Sequence, residues 1–234
     1  MKQTILTTEK ILAPLTGPLL AWYRKNARDL PWRRTDDPYR IWVSEIMLQQ
    51  TRVAAVLDYY ARFLENFPTV EALAAAPEEL LLKRWEGLGY YSRARNLQKA
   101  AKLVTQRHGG RFPPDYAALL ALPGIGEYTA GAIASSAFSL REPAVDGNVL
   151  RVVTRITDCH DDITAPRTKQ AVRAQVAEAM PETAAEIRVY NQAVMELGAT
   201  VCVPNGAPKC ALCPAEPFCL ARQRGTIAQL PVKP

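Results

Sequence analysis

The chain of 234 residues is poor in the groups on which much metal and hydrolase chemistry depends. It has two histidines. His108 stands beside Gly109–Gly110 and His160 follows Cys159, so histidine-based triads and histidine-rich zinc sites are excluded as readings. No apolar stretch approaches the roughly 20 residues of a membrane span. The first residues, MKQTILTTEKILAPL, lack a compact apolar run with a small-residue cleavage site. No signal peptide is read, and a reducing, cytoplasmic compartment is expected, nucleoid-associated in a prokaryote. Alternating strand patterns are also missing. VVTRI at 152–156 comes nearest, and it continues a helical pattern. There is no tandem repeat and no low-complexity tract.

Helical periodicity fills the space left by those absences. Val53, Val56, Leu57, Tyr60, Phe63, Leu64 and Phe67 form one apolar stripe, closed by Pro68 and with Thr51 as a candidate N-cap. Thr69 can cap a short helix to Ala76, and Pro77 suits the first turn of the next, to Trp85. Ser92 can cap a helix that ends at Gly109–Gly110. Further patterns cover 116–122, 127–138, 147–156, 168–180 and 183–200. The 18 prolines fall mostly between them. An all-α chain of about ten helices follows, and the connection at 138–145 is a candidate crossing between two lobes.

Formal charge is +6 and the sequence pI about 9.1. That serves solubility, or a polyanionic partner whose phosphates make affinity depend on salt. Within IWVSEIMLQQTR (41–52), Glu45 stands among Ile41, Trp42, Val43, Ile46, Met47 and Leu48. A carboxylate there is a solvated face, a paired charge or a group placed for chemistry. Four of five cysteines cluster as C-x7-C-x2-C-x5-C: Cys202, Cys210, Cys213 and Cys219. A reducing compartment disfavours disulfides, and four thiolates fit zinc or a [4Fe–4S] cluster. Few apolar residues lie in VPNGAPK, so a metal supplies order that packing cannot. Cys159 stands apart as an ordinary thiol. LPGIGEYTAGAI (122–133) joins two helices through Gly124 and Gly126. It is either a tight turn or a helix-hairpin-helix, in which glycines let the backbone approach a DNA phosphate. Asp146, before Gly147, reads as a turn or an N-cap, and Asn148 as a local hydrogen-bonder.

Taken in order, SEIMLQQT (44–51), GLGYYSRARN (87–96), LPGIGEYTAGAI (122–133), VDGNVLRV (145–152), YNQAVMELGA (190–199) and the four cysteines resemble the MutY-type adenine DNA glycosylases of the endonuclease III superfamily. The resemblance runs from LPWRR at 30 to LPVK at 230. It implies an all-α, two-lobed helix-hairpin-helix glycosylase fold: a six-helix lobe at 29–137, and a lobe of 1–28 with 138–234 carrying a [4Fe–4S] cluster on the four cysteines. It further implies a monomer acting on double-stranded DNA, with base excision in the cleft between the lobes. The family removes adenine mispaired with 8-oxoguanine or guanine and leaves an abasic site.

By the same resemblance Glu45 is the general acid. Protonation of adenine N7 makes the base a better leaving group, and an acid in an apolar setting can hold that proton near neutral pH. Asp146 stabilises the oxocarbenium-like sugar, Asn148 bonds within the same site, and Tyr128 lies against the sugar and the aspartate. The lyase relatives carry a lysine at the position of Tyr128, so a monofunctional enzyme is expected. Gln50 and Tyr90 intercalate beside the opposite base, Thr51 and Leu88 contact it, and Arg33 and Gln192 hold the adenine. Gly124 and Gly126 approach the DNA backbone.

The chain departs from the family pattern twice. Seven residues separate the first two cysteines where the family has six, and the loop is expected to absorb the extra one. The chain ends at LPVKP, where the family's linker to an 8-oxoguanine-recognising domain starts, so a shortened form or a naturally short member is expected. Two rival functions are thymine removal from T·G mismatches and a non-catalytic, cluster-bearing DNA-binding module. Glu45 and Asp146 together argue against the second, since binding needs neither acid.

Overall fold

Every regular element of the computed structural model, which describes residues 11–234, is helical. The α-helices among these residues are α1 (Leu12–Asn26), α2 (Pro38–Leu48), α3 (Val53–Asn66), α4 (Val70–Ala75), α5 (Glu78–Trp85), α6 (Ser92–His108), α7 (Tyr116–Leu120), α8 (Glu127–Phe138), α9 (Gly147–Ile156), α10 (Pro166–Ala179), α11 (Ala184–Thr200) and α12 (Leu220–Arg224). Short 3-10 turns lie at Pro31–Arg33, Cys210–Leu212, Glu216–Phe218 and Ile227–Gln229. No helix among the described residues is long and apolar enough to cross a membrane.

Local chemistry explains most helix starts. Asp37 accepts from the Tyr39 N–H, with Pro38 as the first helical residue of α2. Thr69 and Asp115 cap α4 and α7 in the same way. Gly109, in the left-handed region, ends α6. Two expected caps differ. Arg52 precedes α3, and the Thr51 hydroxyl turns to the Gln49 carbonyl instead. Ser92 is the first residue of α6, not its cap. Tyr91, itself in helical backbone, takes the position before α6.

The chain separates into two compact units. One is Asp29–Phe138, and the other takes the described residues up to Arg28 together with Ser139–Pro234. Phe138 belongs to the first because it ends α8, one residue beyond the boundary expected from the sequence. The core of the first unit is aromatic: Trp42, Phe63, Phe67 and Trp85 are fully buried, with Phe63 edge-on to both Phe67 and Trp85. Here α8 is made largely of Ala, Gly and Ser, and nearly all of it is buried. Such small side chains let α2 pack closely along it.

The second unit has an aliphatic core. Leu12, Leu15, Leu19 and Leu20 of α1 pack with Val149, Val152, Val153 and Ile156 of α9, and with Ile187, Val194 and Leu197 of α11. The irregular segment 139–146 is fixed by polar clamps. Arg173 donates to the Pro143 carbonyl at 2.7 Å and to Glu142 at 2.9 Å. Asn191, almost wholly buried, donates to the Glu142 carbonyl and accepts from the Ala144 N–H. Both clamps satisfy backbone that no helix serves, and they deliver Asp146 to the start of α9.

Candidate active site and candidate metal centre

In the first unit, the packing of α2 on α8 brings two predicted residues together. The Tyr128 hydroxyl donates to Glu45 Oε2 at 2.7 Å. Glu45 is half-buried between Ser44 and Ile46, both buried, so it is neither a solvated face nor a core error. It is a carboxyl group with one oxygen held by a phenol, which leaves the other oxygen for a proton.

Beyond α2 the chain turns sharply. Gln50 is exposed with φ 59°, and Tyr90 is 63% exposed with φ 47°. Both are non-glycine residues in the left-handed region, which persists only where surroundings over-determine it. Thr51 is half-buried, and Leu88 is buried at 6% exposure. In the hairpin, Gly124 has φ 76°, and a Cβ there would lie 2.9 Å from the Asn96 Cβ. Gly126 has open space around it. The Ile125 N–H closes the turn on the Leu122 carbonyl, and both side chains are buried. Arg33, half-buried, ends the turn Pro31–Arg33.

In the second unit, Asp146 caps α9: Oδ1 accepts from the Val149 N–H at 2.8 Å. Asn148 Nδ2 donates to Oδ2 at 2.7 Å. Asn148 Oδ1 in turn accepts from Arg151 Nη2 at 2.8 Å. Because a guanidinium only donates and a carboxylate only accepts, the Asn148 amide has one orientation. Arg151 Nη2 also bonds the Gly198 carbonyl, and its Nε bonds the Cys202 carbonyl, each at 2.8 Å. A Cβ on Gly198 would lie 2.7 Å from the Asn148 Cβ, so only glycine lets α11 approach α9 here. Gln192 of α11 accepts from the Tyr23 hydroxyl of α1 at 2.8 Å.

Cys202, Cys210, Cys213 and Cys219 line one cavity of ≈ 420 Å³, open solvent included. Burial pushes the Cys213 thiol up to about 12, and the three other thiols add to it. Burial raises Cys219 as well. The Cys219 Sγ meets the Arg155 carbonyl at 3.5 Å, and Arg155 Nη1 meets the Cys202 Sγ at 3.4 Å. Four thiols converging where burial resists negative charge suit a cationic metal core, which deprotonates its ligands on binding. Among the described residues no three such groups are already in ligating geometry. Lys209 N–H bonds the Val201 carbonyl at 3.0 Å, pinning both ends of the loop between the first two cysteines. Its tip is exposed and includes Gly206 at φ 76°.

Two arginines that hold the surroundings of candidate site residues escaped the sequence reading. Arg151 lies between Leu150 and Val152, in an apolar setting like that of Glu45, and the same test would have found it. Arg93 sits within GLGYYSRARN, where nothing local separates it from Arg95. Arg95 pairs with exposed Glu78, while Arg93 is drawn inward.

Residues 43–181 match the HhH-GPD superfamily base excision DNA repair protein family. The chain is 45% identical over 223 residues to the adenine DNA glycosylase of Homo sapiens, covering 92% of this chain and 40% of that protein. To the adenine DNA glycosylase of Mycobacterium tuberculosis it is 42% identical over 221 residues, covering 90% of this chain and 71% of the relative. The chain thus spans well under half of the human relative. Its fold is similar to a thermostable thymine-DNA glycosylase, with TM-score 0.82, 28% identity, and 93% and 99% of the two chains covered. It is also similar to endonuclease III in a non-covalent DNA complex, with TM-score 0.76, 25% identity, and 94% and 98% covered.

Proposed function

The chain belongs to the HhH-GPD superfamily of base excision DNA repair proteins, and from that premise we propose that it is a monofunctional adenine DNA glycosylase. Its substrate is double-stranded DNA carrying adenine opposite 8-oxoguanine or guanine. The observation that carries this reading is a pair of separately ordered carboxylates, Glu45 on the Tyr128 hydroxyl and Asp146 on Asn148 and Val149.

The chemistry needs both. Glu45 delivers a proton to adenine N7 as the bond from C1′ to N9 breaks, and its electron pair leaves with the base. The deoxyribose carries the positive charge, which the Asp146 carboxylate, ordered by Asn148 and Val149, stabilises. Water adds at C1′ and passes its proton to the now ionised Glu45, leaving an abasic site and restoring the acid. Tyr128 orients Glu45 and, lacking an amine, forms no Schiff base. Arg33 and Gln192 hold the flipped adenine. Gln50 and Tyr90 fill the opened stack, with Thr51 and Leu88 toward the opposite base, and Gly124 and Gly126 admit a phosphate. Cys202, Cys210, Cys213 and Cys219 hold a [4Fe–4S] cluster, which when bound supplies covalent order to a segment poor in apolar residues. Iron at cluster stoichiometry with visible absorbance is expected; zinc without iron overturns that assignment.

A second reading, thymine removal from T·G pairs, draws on the likeness to the thymine-DNA glycosylase. One experiment separates the two. Base release is measured from A·8-oxoguanine, A·G and T·G duplexes, with Glu45→Gln and Asp146→Asn in single turnover and binding measured alongside. Adenine release lost in both variants, with binding retained, is expected. Thymine release alone reverses the ranking, and unchanged rates in both variants remove the mechanism.

A further inference from the structure

Arg93 makes more bonds than any surface charge requires, and it makes them to two loops at once. Nη1 donates to the carbonyls of Ile46 at 2.8 Å, Met47 at 3.2 Å and Gln49 at 2.5 Å. Nη2 donates to the Leu88 carbonyl at 2.9 Å and reaches the Gly89 carbonyl at 3.4 Å and the Thr51 hydroxyl at 3.5 Å. The first set includes carbonyls from the last turn of α2, which lack partners within their own helix and carry the negative end of its dipole. In the second set, the Leu88 and Gly89 carbonyls belong to the loop between α5 and α6, and Thr51 to the turn after α2. The guanidinium also lies 5.4 Å from the Trp85 ring and 5.7 Å from the Tyr90 ring. Trp85 Nε1 bonds the Gly89 carbonyl at 3.0 Å, securing the same loop from below.

What these loops present is specific. One offers Gln50 and the other Tyr90, each exposed and each left-handed without being glycine. Such backbone relaxes unless neighbours hold it. A fork of planar N–H donors can span two loops and fix their spacing, whereas a lysine ammonium is a single point charge. We propose that Arg93 is the positioning residue that locks Gln50 and Tyr90 at a fixed spacing, so that they enter a disrupted base stack as one preformed wedge. The inference rests on the proposed assignment of Gln50 and Tyr90 to the DNA stack. It adds that their shared geometry comes from one cation that never touches the base. Preforming the wedge matters because ordering two loops at the moment of binding would otherwise subtract from mismatch affinity.

The test compares affinity for an A·8-oxoguanine duplex with affinity for a fully paired duplex, and takes the ratio. Arg93→Lys keeps the charge and so the general attraction to phosphates. It is expected to lower the ratio about tenfold, the scale of a lost charged hydrogen-bond set. In a Gln50→Ala/Tyr90→Ala background, adding Arg93→Lys is expected to change the ratio no further, since residues acting as a unit are non-additive. An undiminished ratio in Arg93→Lys, or an equal loss in both backgrounds, overturns the inference. If Gln50→Ala/Tyr90→Ala itself leaves the ratio intact, the assignment of the wedge fails and the inference falls with it. That outcome is distinct from one in which only Arg93→Lys is silent. Hydrogen exchange on the unaltered chain needs no variant. Amides of 49–51 and 88–90 are expected to open together, and separate opening overturns the shared clamp.

Discussion

Arg93 in one unit and Arg151 in the other both wrap a guanidinium in carbonyl oxygens, but they hold different kinds of structure. Arg151 is 6% exposed and works inside a helical core. Its acceptors are the Asn148 side chain and the carbonyls of Gly198 and Cys202, so it ties the candidate catalytic turn to α11 and to the first cysteine. Arg93 is half-buried and bridges the end of α2 to the loop between α5 and α6. The first arrangement secures a side chain to be presented in one orientation. The second secures the spacing of two backbone segments. Burial decides the difference in expected cost: acceptors that water cannot reach lose more when their donor is removed.

The largest effect is therefore expected for Arg151→Met, which keeps volume and removes the donors. The buried Gly198 carbonyl, the part-buried Cys202 carbonyl and the Asn148 amide are left unserved, for a loss of about 3 kcal/mol in denaturant unfolding. Arg93→Met is expected to cost about 1–2 kcal/mol, because the guanidinium is only half-buried and water can take its place. Equal losses would erase the contrast between core clamp and loop clamp. Gly198→Ala comes next. Its Cβ meets the Asn148 Cβ at 2.7 Å and must displace either α11 or α9, costing about 1–3 kcal/mol. Single-turnover adenine release should fall by more than this stability loss explains, since Asn148 moves with the clash.

Tyr128→Phe tests the corresponding contact in the first unit. It removes the hydroxyl on Glu45 and little volume. About a tenfold slower single turnover, with binding retained, is expected for one lost hydrogen bond that orients the acid. The smallest effect is a pH effect away from both sites. Asp158 follows α9, and burial pushes its carboxyl upward. The Thr226 hydroxyl, Arg224 and His160 outweigh that and hold it below the usual carboxylate range. A carboxyl depressed on folding contributes stability above its unfolded value, and loses it as pH falls through the folded value. Asp158→Asn tolerates the left-handed backbone (φ 51°) and removes the charge. It should lower the melting temperature slightly at pH 7 and flatten the acid limb of a melting-temperature profile. A variant whose acid limb stays as steep as the unaltered chain's would show that the ion pairs contribute nothing.

Much of this was legible along the chain because it depends on local spacing. Helices 127–138 and 147–156 begin and end where the sequence places them, since glycines, caps and apolar periodicity act within a turn or two. Asp146 as an N-cap followed from one residue and its neighbour. Glu45 and Arg151 were detectable as charges within apolar runs. Their partners were not, because Tyr128 is 83 positions from Glu45 and Gly198 is 47 from Arg151. The Thr51 cap misled for the same reason, since Arg93 reaches the end of α2 from 42 positions along the chain.

The sequence by itself determined that the chain is helical, that four cysteines cluster, and which family its motifs resemble. These follow from periodicity, composition and short spacings, which chain connectivity alone sets. Only the tertiary structure decided what each polar side chain bonds. It turned Tyr128 to Glu45, fixed the Asn148 amide between Asp146 and Arg151, and brought two loops onto Arg93. A buried donor takes whichever acceptor the packing brings near, and packing is a property of all the helices in a unit together.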